Sequence, residues 1–129
     1  MKIQESAENY LETILILQQR IGEVRSIDVV NELSYSKPSV SIAMKKLREN
    51  GYIAVDGEGN LTLLEPGLEI AQRIYSRHQL LTHFFVQLGV DEQTAAEDAC
   101  KAEHILSEQT LEKIRESALR TDAAAQEDE

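Results

Sequence analysis

The sequence is short of several things, and each shortage narrows what the chain can be. Among its 129 residues there is one cysteine, Cys100, so no internal disulfide can form. A chain of this length buries roughly two-thirds of the surface its unfolded form exposes, so it needs no covalent staple. The lack of disulfides fits a reducing compartment, and cytoplasmic residence is the expectation. The opening residues Met1-Lys2-Ile3-Gln4-Glu5-Ser6 lack the apolar stretch of a signal peptide. No later run approaches the roughly 18 consecutive apolar residues of a membrane span. No internal repeat is visible.

Positive charge is scarce as well. Lysine and arginine number 13 against 23 acidic residues, for a net charge of −10, which looks wrong for a nucleic-acid binder. The distribution says more than the total. Residues 1–34 carry a net −3, residues 35–64 a net +1, residues 65–88 balance, and residues 89–129 carry a net −8. Between Tyr35 and Arg48 lie Lys37, Lys45, Lys46 and Arg48, with no acidic side chain among them. Contact with phosphates requires a local basic patch of this kind, not a basic protein.

Helical spacing of apolar residues runs through the first segment, where Ser6 caps a helix carrying Tyr10, Leu11, Ile14, Leu15 and Leu17 to about Arg20. Gly22 stops it. Ser26 reads as the cap of a short second helix, and Ser34-Tyr35-Ser36 as a tight connection. Pro38 then sits in the first turn of a third helix, where its missing N–H costs nothing. That helix reaches about Asn50, with Val40, Ala43, Met44 and Leu47 facing inward. Tyr52–Val55 and Leu61–Leu64 read as strands joined at Gly57-Glu58-Gly59-Asn60. A long helix follows to about Leu88, a fifth begins at Asp91, and a sixth is capped by Ser107 and runs to about Leu119.

The order helix, helix, turn, helix, hairpin describes a winged helix-turn-helix. The fold class is mainly α, with a small β-hairpin wing. The expected organisation is a DNA-binding domain over 1–64, a helical domain over 65–120, and a disordered acidic tail over 121–129. In such a unit the third helix enters the major groove. Ser36, Ser39 and Ser41 supply short donors and acceptors near its start, while Lys37, Lys45, Lys46 and Arg48 suit phosphates, which give affinity rather than sequence choice. The plainer alternative is a solvated basic helix in an interaction module.

A second pattern lies in Cys100-Lys101-Ala102-Glu103-His104. On one continuous helix, positions i, i+3 and i+4 share a face, so a thiolate, a carboxylate and an imidazole would converge. All three are ligand types for first-row divalent ions. Taken singly, a lone cysteine is more often a small buried hydrophobe, and Glu-His pairs are common on exposed helices.

Four segments together resemble the diphtheria-toxin-repressor family. They are Glu8-Asn9-Tyr10-Leu11-Glu12-Thr13-Ile14, Ser36-Lys37-Pro38-Ser39-Val40-Ser41, Arg77-His78-Gln79-Leu80-Leu81 and Asp98–Ser107 with the Cys100–His104 pattern inside it. The resemblance spans about residues 5–118 in the family's order and spacing. It implies a metal-activated repressor acting as a homodimer on a palindromic DNA operator, in the short two-domain form without an SH3-like domain. By family position the metal ligands are Asn9, Glu12, His78, Cys100, Glu103 and His104, and the DNA-binding residues include Pro38. The corepressor it implies is divalent iron, Fe(II), with manganese, Mn(II), next and Zn(II), Co(II) or Ni(II) as substitutes.

Cys100 with Glu103 and His104 looks like the iron branch, whereas Glu12 looks like the manganese branch. Asn9 matches neither. Thr82 stands where both branches often carry an acid, and Ala96 where the iron branch has a histidine, so the resemblance does not carry over a second metal site like either branch's. Two other classes compete with this reading. A Cys/Glu/His site with an open position could serve a metal-dependent hydrolase. A metal-independent winged-helix regulator could instead use Cys100 as a redox sensor.

Overall fold

The structure is a computed structural model, and it describes residues 5–127. Its elements, in order, are α1 (Glu5–Ile21), β1 (Val24–Arg25), α2 (Ser26–Leu33), α3 (Lys37–Glu49), β2 (Ile53–Val55), β3 (Asn60–Leu63), α4 (Glu65–Gln87), α5 (Glu92–Ala102) and α6 (Glu108–Glu127). The chain divides into two compact units, Met1–Arg73 and Ile74–Glu129. None of the described helices is long and apolar enough to cross a membrane.

In the first unit, the apolar positions of α1 come round every three or four residues, and Leu11, Ile14 and Leu17 are buried with Val29, Val40, Met44 and Leu47 from α2 and α3. The chain leaves α1 at Gly22, whose φ of +84° is a left-handed conformation that suits glycine. The expected wing is present, with Ile53 opposite Leu63 and Val55 opposite Leu61. It also has a third strand that the sequence did not announce. β1 pairs antiparallel with β3, Val24 opposite Leu61, which gives the order β1-β3-β2. Two residues are too few to show an alternating pattern.

Two expected caps differ in kind. Ser26 is the first residue of α2 rather than its cap; Arg25 holds that place, and its backbone N–H donates to Asp28 Oδ2 at 2.8 Å. Ser36 is a true cap, accepting from the Ser39 N–H at 3.2 Å with Pro38 in the first turn. The hairpin tip is organised by Asp56, whose Oδ1 accepts the N–H groups of Glu58 and Asn60, each at 2.9 Å. Those bonds favour the charged carboxylate, the one from Asn60 most, and hold its pKa below the usual value.

The boundary between the two compact units falls inside α4. The first turns of α4 are held to the winged unit. A Cβ at Gly67 would lie 2.2 Å from the Tyr52 carbonyl oxygen, so only glycine permits this approach. Leu64 N–H donates to that same oxygen at 3.0 Å, and Arg73 pairs with Glu8 at 3.3 Å.

The second unit packs the rest of α4 with α5 and α6 around Leu81, Ala99 and Leu111, flanked by Leu80, Phe85, Ala102, Leu106 and Ile114. Asp91 caps α5 by accepting from Gln93 and Thr94 N–H at 3.1 and 3.2 Å. Ser107 caps α6 by accepting from Thr110 N–H at 3.2 Å. Where a disordered tail was expected from Thr121, α6 continues to Glu127. The run Ala123-Ala124-Ala125 favours helix, and Asp122 is tied to α4 by Gln87 Nε2 at 2.7 Å. Residues 128 and 129 of that tail lie outside the described residues.

Candidate nucleic-acid interface and metal centre

α3 presents its chemistry outward. Val40, Met44 and Leu47 are buried, while Lys37, Pro38, Ser39, Ser41, Lys45, Lys46 and Arg48 are all exposed. At 3.6 residues per turn, Lys37, Ser41, Lys45 and Arg48 follow one another along one flank, with Ser39 and Lys46 on the other. Ser36 is exposed too, but its hydroxyl is engaged, capping α3 and donating to Ser39 Oγ at 2.8 Å. That hydroxyl therefore helps to start the helix. The turn before α3 uses Ser34 at φ +58°, a left-handed conformation in a residue other than glycine, to set the angle between α2 and α3.

In the second unit the Glu103 and His104 side chains turn inward. α5 ends at Ala102, and Glu103, its C-cap, keeps a right-handed helical conformation with its N–H donating to the Ala99 carbonyl oxygen. Arg77 explains part of that ending: its Nη1 takes the Glu103 carbonyl at 3.1 Å, and its other terminal nitrogen pairs with Glu108. One arginine thus ties the turn after α5 to α4 and to the start of α6. In the sequence Arg77 stands out only as His78's neighbour, since no spacing rule links residues 77 and 103. Cys100 is exposed on the last turn of α5.

His78 and His104 each reach Glu103, one at each carboxylate oxygen. The Glu103 side chain is fully buried, and its Oε2 lies 3.0 Å from His78 Nδ1. Its Oε1 is 3.4 Å from His104 Nε2, on a side chain only 1% exposed, and makes no hydrogen bond among the described residues. A buried carboxylate oxygen left without a donor is costly. Imidazole nitrogen and carboxylate oxygen are both donor atoms for divalent transition metals. The residues present therefore fit a divalent transition-metal ion. Of the other expected ligands, Glu12 is buried on α1 at 6% exposure, and Asn9 is half-buried one turn earlier.

A winged helix with a basic recognition helix, followed by a unit with a buried carboxylate–imidazole cluster, defines a class of DNA-binding regulators that respond to metal. Residues 2–61 match the iron dependent repressor N-terminal DNA binding domain, and residues 64–121 match the iron dependent repressor metal binding and dimerisation domain. The chain belongs to the iron-dependent repressor family, whose members are metal-dependent transcriptional regulators rather than enzymes.

It is 35% identical over 113 residues to an HTH-type transcriptional regulator of Methanocaldococcus jannaschii, covering 86% of this chain and 90% of that one. It is 34% identical over 111 residues to the transcriptional regulator MntR of Escherichia coli O157:H7, covering 86% and 72%. Among solved structures it resembles the manganese regulator SloR, with a TM-score of 0.75, 26% identity, and 90% of this chain against 54% of that one. It also resembles a manganese-dependent transcriptional repressor in complex with manganese, with a TM-score of 0.79, 26% identity, and coverage of 87% and 52%. The chain spans about half the length of these solved structures.

Proposed function

We propose that this protein is a homodimeric repressor that binds a palindromic DNA operator when loaded with Fe(II) or Mn(II), and so controls metal-ion homeostasis in the cytoplasm. The observation that carries the metal half is Glu103, a fully buried carboxylate beside His78 and His104 with one oxygen that no proton donor satisfies. The ligand set proposed is Glu12, His78, Glu103 and His104, with Cys100 and Asn9 as further members. A divalent ion supplies the positive charge that such a buried carboxylate lacks. The exposed position of Cys100 weakens the case for a sulfur-rich site, and a set of oxygen and nitrogen donors suits Mn(II) as well as Fe(II).

The chain's own residues divide the work. Lys37, Lys45, Lys46 and Arg48 neutralise operator phosphates, and Ser39, Ser41 and Pro38 meet base edges. Val86, Leu88 and Leu119 are exposed apolar side chains of the second unit and offer a surface to a second copy. The ligand set draws on both halves of the sequence, so metal and DNA affinity are linked. Whatever factor the ion adds to DNA affinity, DNA adds to ion affinity.

Operator binding in chelator and in excess Mn(II) or anaerobic Fe(II) tests the reading. Strong binding is expected only with metal, and His104→Ala should keep just the weak, salt-sensitive background. Equal binding in chelator would overturn the metal dependence and favour a redox role for Cys100.

A further inference from the structure

α3 carries one side chain that the phosphate-binding reading leaves unexplained. Ile42 is 57% exposed on a helix whose other large apolar residues, Val40, Met44 and Leu47, are at most 5% exposed. At 100° per residue it stands almost diametrically opposite the face those residues bury. The outward midline of the helix is therefore apolar at Ile42, with Pro38 one turn before it and Lys45 and Lys46 one turn after. Basic and serine side chains lie to either side, and all are exposed.

An isolated exposed isoleucine gains nothing for the fold. On a surface flanked by lysines, however, such a side chain is placed for the floor of the major groove when the helix docks there. Apolar chemistry is offered there by one group, the C5-methyl of thymine. Ile42 also lies in the N-terminal half of α3, the half that reaches base edges in this docking geometry. The only acidic residue of α3, Glu49, lies near its C-terminal end, where the helix leaves the groove.

We infer that Ile42 is a specificity-determining residue that reads a thymine methyl group in each half of the operator. This rests on the proposed DNA-binding function and goes beyond it, because it names a base and the atom by which that base is chosen. The contact gives sequence choice without a hydrogen bond, and it complements the sequence-blind contacts of the four basic residues.

The probe is a duplex selected from a random pool by the full-length protein with Mn(II), each thymine then replaced in turn by deoxyuridine, which lacks only the methyl. One thymine per half-site is expected to matter. Its replacement should weaken wild-type binding about fourfold per half-site, the equivalent of one buried methyl group. Ile42→Ala should bind the thymine duplex more weakly by a similar factor and should then be indifferent to the replacement. Ile42→Val should keep part of the discrimination. Because the side chain is exposed, neither variant threatens the fold.

A wild-type protein indifferent to every methyl, or an Ile42→Ala variant with undiminished discrimination, removes Ile42 from base reading while leaving the regulator intact. Failure of the wild-type protein to select or bind any duplex would instead overturn the DNA-binding function itself.

Discussion

The two units place their functional side chains in opposite environments. On α3 the lysines, the arginine, the serines and Ile42 are exposed, and the helix is held from behind by Val40, Met44 and Leu47. In the second unit Glu103 and His104 are buried, and the turn that carries Glu103 depends on Arg77 reaching across from α4. Function and stability are therefore separable in the first unit and entangled in the second. Charge follows the same division. The segment from residue 35 to 64 is net +1 within a protein of net −10, and residues 89–129 hold −8 of that total. Acidic charge outside the 35–64 segment opposes non-specific contact with DNA.

The largest effect that could break this contrast concerns the exposed side. Neutralising Lys37, Lys45, Lys46 and Arg48 together should abolish operator binding at physiological salt, because phosphate contacts supply much of the affinity. Single changes such as Lys46→Ala should weaken binding across all sequences and reduce the salt slope by about one for each phosphate no longer neutralised. The melting temperature should hardly move. Fluorescence anisotropy across a salt series would show it, and a fourfold variant that binds at wild-type strength would take α3 out of the interface.

A smaller effect sharpens the buried side. Glu103→Gln keeps the shape but removes the charge that an ion would meet. Mn(II) at 100 times its dissociation constant should stabilise the wild-type protein by about 2.7 kcal/mol, a shift of several degrees in Tm. The variant should lose most of that shift. Its metal-free form should be at least as stable as wild type, since a buried carboxylate with an unsatisfied oxygen is gone. Differential scanning calorimetry with and without the ion gives both values. A metal-induced shift as large as in wild type would exclude Glu103 as a ligand.

The same contrast explains what could be read from the sequence. Exposed function on a regular helix leaves a local signature: a Ser cap, Pro38 in the first turn, inward residues at 40, 43, 44 and 47, and four basic residues at positions 37, 45, 46 and 48. The winged helix-turn-helix was legible for that reason. Buried function leaves no such trace, because it depends on where the chain turns. The Cys100–His104 spacing runs across the end of α5, which stops at Ala102. The Arg77 contact that stabilises the stop lies 26 residues away. β1 was missed because two residues carry no periodicity, and the continuation of α6 because acidity outweighed three consecutive alanines. Ile42 was visible as a letter, but only exposure shows it to be unused by the core.

The smallest effect tests where the two units behave alike. Asp56 at the wing tip and Asp91 at the start of α5 are both exposed carboxylates that accept backbone N–H groups, and both have pKa values below the ordinary 3.8. For Asp56 the leading cause is the Asn60 N–H; for Asp91 it is the Thr94 hydroxyl, followed by the Thr94 and Gln93 N–H groups. A carboxylate with a lowered folded-state pKa stabilises the fold fully above its unfolded value. That contribution is lost as the pH falls through the folded value. Both units should therefore lose this small contribution in acid below pH 3.8, and neither should lose it between pH 5 and 8. Carboxyl-carbon NMR titration of the two side chains should give midpoints under 3.8. Asp91→Asn should weaken the acid dependence of the second unit without touching that of the wing. A midpoint at or above the ordinary value for either residue would mean that its N–H bonds are not made in solution, and the local cap described for that unit would have to be withdrawn.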